Sequence, residues 1–472
     1  MNQAAPVKPA ALEYAPPPLA TAVVETNWAL FGKLLLLAGP IVVEQFLSMG
    51  VGLTDVYLAG HLRRQPAAAT AAVGSVSYIL WLVGLIAGAI GTGSTALISR
   101  ATGARHRSLA NAVCGQTVIA AAVTGVSLAL LFIGFAPQIA TITGLRGEAY
   151  DFALYYVRIL SLSLPFSILL FSANACLRGA GDTLTPALSM VLVDGTNMGL
   201  SFALSRGAFG LPEMGFRGIA VGTVSAYVLG GLLQLGVLLR GRGGLRLHPH
   251  RLRPHWHTLR RVLRIGLPSG LEGMLTWGAN FVIVAIINRM DPSNVSGSAH
   301  IVAVRMESVS FLIGYAFATA SATMVGQSLG MKDPARARRS AYLAYAAGGG
   351  VMGFMGLMFL LFPHAFAGVM AETPGVVDLS ARCLRITGFA QLGFASAMVF
   401  GASLRGAGDT FTVMVINLSI VIGLRLSAVL VITLGFGMGL TAVWVVLAGE
   451  LFIRGVAMFA RFQQGAWRHV TV

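Results

Sequence analysis

The feature that most constrains the fold is a series of long apolar segments that recur along nearly the whole chain. A helix needs about 20 apolar residues to cross the hydrocarbon core of a bilayer. Twelve segments have this length, at residues 34–58, 70–98, 109–134, 152–174, 184–204, 216–239, 265–288, 298–325, 340–362, 380–402, 411–433 and 441–460. The pattern predicts an all-α polytopic membrane protein with twelve transmembrane helices.

The composition supports this prediction and argues against a soluble fold. Apolar residues make up 56% of the chain and charged residues 11%, whereas a soluble protein has about 25% charged residues. The net charge of +16 comes from arginines in the short connectors, so we expect no nucleic-acid partner. The three cysteines lie within or at the ends of apolar segments, which argues against a disulfide framework or a cysteine metal site.

The distribution of lysine and arginine predicts the orientation of the chain. With the N-terminus inside the cell, the inner connectors and tails carry 21 of these residues and the outer connectors carry six. Cytoplasmic connectors are the ones enriched in basic residues. We therefore expect a multi-pass membrane protein with both termini in the cytoplasm.

A repeated motif divides the chain into two halves. Residues 177–183 read LRGAGDT, and residues 404–410 repeat the same letters 227 positions later. Pro40 and Glu44 recur as Pro268 and Glu272 at an offset of 228. Because each half holds six helices, both halves enter the membrane from the same side, which makes the repeats parallel. We expect the motif to be a structural turn in which Asp182 and Asp409 cap the next helix.

The repeat gives the predicted domain organisation. It comprises a disordered tail (residues 1–27), a first six-helix lobe (28–239), a basic cytoplasmic linker (240–264), a second six-helix lobe (265–460) and a cytoplasmic tail (461–472). The linker carries eight arginines and four histidines, His248, His250, His255 and His257. It could hold a metal or a nucleotide at these histidines, but we favour a linker held at the anionic membrane surface.

Together these features resemble the multidrug and toxic compound extrusion (MATE) family. The resemblance rests on the two LRGAGDT connectors and on Pro40 followed by TDVYLAG at residues 54–60, and it covers about residues 34–460. It implies a transporter of the bacterial inner membrane and not an enzyme. The transporter would need no cofactor and would expel drugs or organic cations in exchange for protons or sodium ions. The lobes would form an outward-open V and alternate with an inward-open state. We expect a monomer surrounded by membrane lipids.

Acidic residues inside the apolar segments are functional candidates, because a charge at membrane depth is costly. They are Glu44, Asp55, Asp194, Glu272, Glu307 and Glu450. Asp55 is the strongest candidate, since its counterpart in the second half is Ile283 and the acid is therefore not required by the repeat. Burial disfavours the charged form of a carboxylate. Asp55 could thus load a proton from the outer side and release it inside, and in the MATE family an aspartate at the matching place couples transport to ions.

Further residues of the first half extend this candidate site. The resemblance implies that Asn197 in the fifth helix and Tyr156 in the fourth belong to the polar network around Asp55. The DinF-type branch has an aspartate four residues after this asparagine, but Ser201 stands there. Asp194, one turn before Asn197, could take over this role or bond locally.

Glu44 and Glu272 could line the substrate cleft or bond to backbone groups freed by the prolines. The NorM-type branch has its second-half glutamate eight residues after proline, where Thr276 stands, and Glu272 one turn earlier could substitute. The acid that this branch carries in the tenth helix is replaced by Phe394. Since hard cations need several oxygen ligands, protons are favoured over sodium ions, and the chain resembles the DinF-type branch more than the NorM-type branch.

Other assignments are possible but less favoured. A lipid-linked oligosaccharide or lipid flippase of the same superfamily is the alternative function, although such proteins often have more than twelve helices.

The arginines inside the predicted spans could lie at the interfaces or pair with acids: Arg305 with Glu307, and Arg425 with an acid or with an anionic substrate. Asn174 is expected to be a helix-end residue.

Overall fold

A computed structural model describes residues 25–248, 252–291 and 293–470. Residues 1–24, which form most of the predicted tail, and His250 of the predicted linker lie outside this part of the chain. The first helix begins at Asn27, which is the last residue of the predicted tail.

The first half of the described chain is built from helices joined by short connectors. These helices are α1 (Asn27–Gly60), α2 (Pro66–Gly103), α3 (Arg107–Gly134), α4 (Ala136–Ile142), α5 (Glu148–Ser161), α6 (Leu164–Ala180), α7 (Leu184–Arg206) and α8 (Phe216–Arg240).

The second half repeats this order. Its helices are α9 (Trp256–Asn288), α10 (Val295–Gly330), α11 (Pro334–Leu361), α12 (Pro363–Gly368), α13 (Pro374–Gly406), α14 (Thr410–Leu418), α15 (Ser427–Leu430) and α16 (Leu440–Gln464). Eleven stretches of the described chain are long and apolar enough to span a membrane, and the bent pair α5–α6 makes twelve. The short helices α4 and α12 occupy equivalent places in the two halves. The fold class predicted from the sequence is confirmed.

Two of the predicted spans are not regular helices. The predicted helix over residues 152–174 is broken, because α5 and α6 meet at an angle of 57°. Pro165 lies in the first turn of α6 and has no N–H to continue the ladder of α5. The predicted helix over residues 411–433 changes to a π-helix at Ser419–Leu426 and again at Val431–Gly435. Such π segments often occur at functional sites.

The LRGAGDT motif ends one helix and starts the next in each half, as predicted. Gly181 and Gly408 have φ angles of +95° and +92°, in the left-handed region that favours glycine. The carboxylate of Asp182 accepts a hydrogen bond from the backbone N–H of Thr185 at 3.0 Å, which confirms this cap. The predicted cap at Asp409 is wrong, because its side chain instead accepts hydrogen bonds from the Arg461 guanidinium at 2.8 and 3.0 Å.

The connector between α8 and α9 is shorter than the predicted linker, since α9 begins at Trp256. Gln116 of α3 holds this connector in place. Its Nε2 donates to the carbonyl of Arg253, and its Oε1 accepts from the N–H of His255, both at 2.9 Å. Within the described ranges, no group of three or more His, Cys, Asp or Glu side chains is arranged to hold a metal ion.

On the opposite end of the molecule, Asp291 organises the start of α10. Its carboxylate accepts hydrogen bonds from the hydroxyl of Ser293 at 2.5 Å and from the backbone N–H of Ser296 at 2.9 Å. These donors hold the pKa of Asp291 well below its usual range. The carboxylate is therefore charged at neutral pH, where it suits the positive end of the helix dipole.

Both ends of the described chain lie at one end of the helix bundle, which we call the terminal face (residues 25–27, 103–107, 330–336 and 465–470). Arg339 donates to the carbonyl of Glu25 at 3.1 Å, and Arg100 donates to the carbonyl of Val470 at 2.7 Å. The two halves also contact each other here. A Cβ on Gly103 would lie 1.9 Å from the carbonyl oxygen of Gln327, so α2 and α10 touch backbone to backbone.

Candidate functional site

Asp55 lies in the part of α1 that is distant from the terminal face. It is five residues before the end of the helix at Gly60, which is about 8 Å along the axis. Its side chain points into the first lobe and only 3% of the residue is exposed. A carboxylate so buried must find hydrogen-bond donors within the protein.

Three helices supply these donors. The phenol of Tyr156 in α5 donates to Oδ2 of Asp55 at 2.6 Å, and the hydroxyl of Thr223 in α8 donates to the same oxygen at 2.7 Å. The amide of Asn197 in α7 donates to Oδ1 at 3.0 Å. The structure therefore brings the predicted residues Tyr156 and Asn197 to Asp55, in a shell made of neutral groups.

The absence of a cationic partner distinguishes this carboxylate. In the described part of the chain, no lysine, arginine or histidine nitrogen forms a salt bridge with Asp55 within 4.0 Å. A guanidinium would hold the carboxylate in its charged form, whereas hydroxyl and amide groups can also bond to a neutral carboxyl. The geometry is thus compatible with both protonation states.

Ser201 supports the network from a second layer. The amide of Asn197 contacts the Ser201 hydroxyl at 3.4 Å, and that hydroxyl donates to the carbonyl of Ile219 in α8 at 3.3 Å. The helices α7 and α8 approach closely at this point, since a Cβ on Gly222 would lie 2.1 Å from the Ser201 oxygen. Ser201 therefore orients Asn197 and does not itself reach Asp55.

Asp194 lies beside this network but outside it. The residue is half-buried against Gly50 of α1, where an added Cβ would lie 2.8 Å from the carboxylate. Its Oδ1 is buried without a hydrogen-bond partner in the described structure. The carboxylate accepts no hydrogen bond from Tyr156, Asn197 or Thr223, so its proposed part in coupling stays a prediction.

Glu44 and Glu272 have a different environment, in which each is paired with the arginine of an LRGAGDT motif. Arg178 donates to Glu44 at 2.5 Å, and Arg405 donates to Glu272 at 2.6 Å. Amides of Asn174 and Asn417 donate to the same carboxylates. Asn174 is therefore not the helix-end residue that was expected, because it lies six residues before the end of α6 and belongs to this network.

These pairs join the first helix of each lobe to its motif, and both glutamates are buried, with 3% and 8% exposed. Thr276 is half-buried on α9. That Glu44, Glu272 and Thr276 line a substrate cleft stays a prediction.

Comparison with known proteins gives the family. The MatE family model matches residues 40–203 and 268–429, which includes the acid, the asparagine and both arginine-paired glutamates. The chain belongs to the MATE family. It is 30% identical over 451 residues to a protein named "Probable multidrug resistance protein NorM" from Thermotoga maritima, with 92% of each chain covered. It is 26% identical over 419 residues to "Multidrug resistance protein PmpM" of Pseudomonas aeruginosa, with 87% and 84% covered.

Solved structures share the fold of this MATE chain. One described as the outward-facing conformation of a multidrug resistance MATE family transporter superposes with a TM-score of 0.84 at 20% identity, covering 93% of this chain and 97% of that one. A transporter of the MOP superfamily from Pyrococcus furiosus superposes with the same TM-score at 19% identity, and the coverage is again 93% and 97%.

Thr223 is the site residue that the sequence analysis missed. A single threonine in an apolar helix gives no signal of its own. The MATE repeat gives an indirect one, because the residue 227 positions later is Glu450, an acid at membrane depth. A search of the repeat for positions that are polar in both halves would have found it.

The second lobe of the MATE fold holds its own buried charges. Glu450 lies between two arginines, with Arg425 at 3.5 Å and Arg454 at 3.1 Å. This confirms that Arg425 pairs with an acid. The expected pair of Arg305 and Glu307 is wrong, because Arg305 is exposed and Glu307 accepts its hydrogen bonds from α13.

The place predicted for a NorM-type acid is filled by aromatic packing. The ring of Phe394 stacks on Phe311 with 5.9 Å between the centroids. Nothing at this position can ligate a hard cation, in agreement with the sequence.

Proposed function

We propose that this protein exports organic cations and other amphipathic compounds in exchange for protons. Its two lobes would alternate between outward-open and inward-open states. The multidrug resistance names of the NorM and PmpM relatives support this class of substrate. The transporter would act as a monomer among the lipids of a bacterial inner membrane, with both termini in the cytoplasm and without a cofactor.

The environment of Asp55 carries the proposal. The carboxylate is buried at membrane depth, and its donors are neutral. When charged, it attracts a cationic substrate into the first lobe. When it takes up a proton, this attraction ends and the cation can leave. Asp55 would thus bind either the proton or the cation at one time, which is the condition for antiport.

Protons rather than sodium ions are supported by the orientation of the donors. The groups around Asp55 direct hydrogen atoms at its oxygens, whereas a sodium ion needs lone pairs from several oxygens. The place predicted for a NorM-type acid holds Phe394. A closer relation to the DinF-type branch stays a prediction, since the relatives named above carry NorM and PmpM names.

Among the residues predicted to line the cleft, Thr276 is the best remaining candidate. Glu44 and Glu272 are engaged by arginines inside their own lobes. Thr276 makes no side-chain hydrogen bond within the described ranges and is half-buried. It lies one turn after Glu272 on α9, the helix that packs against α2 of the other lobe.

The test is transport by purified protein in liposomes with proton and sodium gradients imposed separately. We expect the wild type to export a fluorescent organic cation when only the proton gradient is imposed. Asp55→Asn keeps the size and loses the titratable group, so it should abolish proton-driven export. Glu148→Gln, at an exposed acid at the start of α5, is the control and should transport as the wild type does. Export by Asp55→Asn at the wild-type rate would contradict the proposal.

A further inference from the structure

The second lobe contains a cluster of four charged side chains at membrane depth: Glu307, Arg425, Glu450 and Arg454. Arg425 and Glu450 are buried, with 8% and 1% exposed. Burial of charges is costly even when they are paired, and within membranes it is a mark of function. Arg425 also lies in the π-helical segment Ser419–Leu426, a kind of irregularity that is common at functional sites.

The pseudo-symmetry of the lobes relates this cluster to the Asp55 site. Arg425 stands 228 positions after Asn197, and Glu450 stands 227 positions after Thr223. Two of the three donors of the first site, Asn197 and Thr223, are thus replaced by an arginine and a glutamate. Glu450 lies between two guanidinium groups, so both of these close neighbours are basic.

Glu307 on α10 differs from Glu450, because its hydrogen-bond donors are neutral groups. Its Oε1 accepts hydrogen bonds from the hydroxyl of Thr387 and, at 3.4 Å, from the amide of Gln391. Gln391 is oriented in turn, because its Oε1 accepts from the Ser310 hydroxyl at 2.7 Å. A carboxylate bonded to a hydroxyl and an amide, with no salt bridge in the described structure, repeats the chemistry of Asp55 at a different place.

Arg425 of the π-helical segment is the charged group that interacts with Glu307. Arg425 in turn interacts with Glu450 and Arg454 of α16. It also interacts with His300, which lies two turns before Glu307 on α10. With Glu307 charged, two carboxylates balance two guanidinium groups. With Glu307 neutral, the cluster carries one excess positive charge. Proton binding at Glu307 therefore changes the net charge of the lobe interior.

We propose that Glu307 is a second proton-binding site, so that each transport cycle moves two protons, one in each lobe. This inference rests on the proposed proton-coupled export. Thr387 and Gln391 are positioning residues that hold the carboxyl, and Arg425 is the counter-charge that responds to its protonation.

The experiment measures the steady-state accumulation of ethidium, a monovalent organic cation, in proteoliposomes against an imposed pH difference at zero membrane potential. One proton per cation limits accumulation to about tenfold per pH unit, and two protons allow about a hundredfold. We expect the wild type to follow the steeper relation and Glu307→Gln to follow the tenfold relation. Glu307→Asp keeps a carboxyl and should remain steep. Glu372→Gln, an exposed acid before α13, is the control and should also remain steep.

The outcomes separate the two proposals. No proton-driven accumulation by the wild type would overturn the proposed function and this inference with it. A wild type limited to about tenfold per pH unit, or a Glu307→Gln variant as steep as the wild type, would overturn the second proton site alone. If Glu307→Gln does not bind ethidium in detergent, two other measurements decide: the accumulation per pH unit by the wild type and by Gln391→Leu. Gln391→Leu removes a hydrogen-bond donor to Glu307 and should lower the accumulation per pH unit.

Discussion

At the scale of single residues, the buried acids of this protein differ by their partners and not by their burial. Asp55 and Glu44 lie on the same helix and are each 3% exposed. Arg178 bonds to Glu44, whereas Asp55 has only a phenol, a hydroxyl and an amide. A guanidinium stabilises the charged form of a carboxylate by Coulomb attraction. The two acids are therefore equally buried, but only Glu44 has a basic partner in the described structure.

Thr223 gives a residue-scale prediction. Thr223→Val keeps the shape and removes the hydroxyl that donates to Asp55 at 2.7 Å. A hydrogen bond to a charged group contributes about 1.5–3 kcal/mol. We expect the variant to lose thermal stability, and to lose more at alkaline pH, where Asp55 is charged, than at acidic pH, where it is neutral. Thermal unfolding in detergent at several pH values measures this.

Thr223→Ser retains the hydroxyl and serves as the matched variant. It should unfold near the wild-type temperature throughout the pH range. An equal loss of stability for Thr223→Val at acidic and alkaline pH would show that the hydroxyl acts through packing alone.

At the scale of helices, each LRGAGDT motif fixes two neighbouring spans and the first helix of its lobe. The glycine in the left-handed region turns the chain, and the arginine reaches back to the glutamate that follows the helix proline. Two distant parts of the sequence are thereby joined in each lobe. This explains why the arginine recurs together with the glutamate in both halves.

The two lobes hold equivalent glutamate–arginine ion pairs, so their contributions to stability can be compared within one protein. Removal of one partner from a buried ion pair costs about 3–5 kcal/mol, because the other charge remains without compensation. The Arg178 side chain is 13% exposed and that of Arg405 is 25% exposed. We therefore expect Glu44→Gln to lower the unfolding temperature more than Glu272→Gln. Scanning calorimetry or a thermal shift assay in detergent compares them.

The double variant Glu44→Leu with Arg178→Met removes both charges and should recover much of the lost stability. Equal effects of Glu44→Gln and Glu272→Gln, or no recovery in the double variant, would contradict the role of the ion pair.

At the scale of the whole molecule, the two lobes are held together towards the terminal face. The hydroxyl of Thr323 donates to the carbonyl of Arg178 at 3.1 Å, and Gln327 donates to the carbonyl of Gly179 at 3.3 Å. Gly103 and Gly330 let α2 and α10 meet without side chains between them. In the proposed cycle these contacts must separate when the terminal face opens.

Gly103→Ala tests this view of the interface. The added Cβ would lie 1.9 Å from a backbone oxygen, so the closed arrangement is strained. Overpacking costs about 1–3 kcal/mol, which shifts a two-state population by roughly 5- to 150-fold. We expect spin labels at residues 107 and 335, near this contact, to move further apart and the export rate to fall.

Gly88→Ala on the same helix is the control, because an added Cβ meets nothing within 4 Å there. It should leave the label distance and the export rate unchanged. A Gly103→Ala variant with the wild-type distance distribution would mean that the two helices do not need this close contact.

The sequence by itself determined the class of the molecule and the repeat, and it gave Asp55 as the leading candidate for the site. Apolar segments of spanning length leave few alternatives to membrane helices, because backbone groups in lipid must be satisfied internally. The repeated motif fixed the two halves, and the isolated charge of Asp55 made it a candidate before any contact was known. These signals lie in the order of residues along the chain, so they can be read without knowing which side chains meet in the fold.

Only the tertiary structure decided which polar groups meet. Thr223 reaches Asp55 across 168 positions of sequence, and Glu44 meets Arg178 across 134. The π-helical segment around Arg425 interrupts a continuous apolar pattern that by itself predicts a regular helix. Partners of this kind depend on the rotation and depth of whole helices against one another, which the order of residues within one helix does not specify.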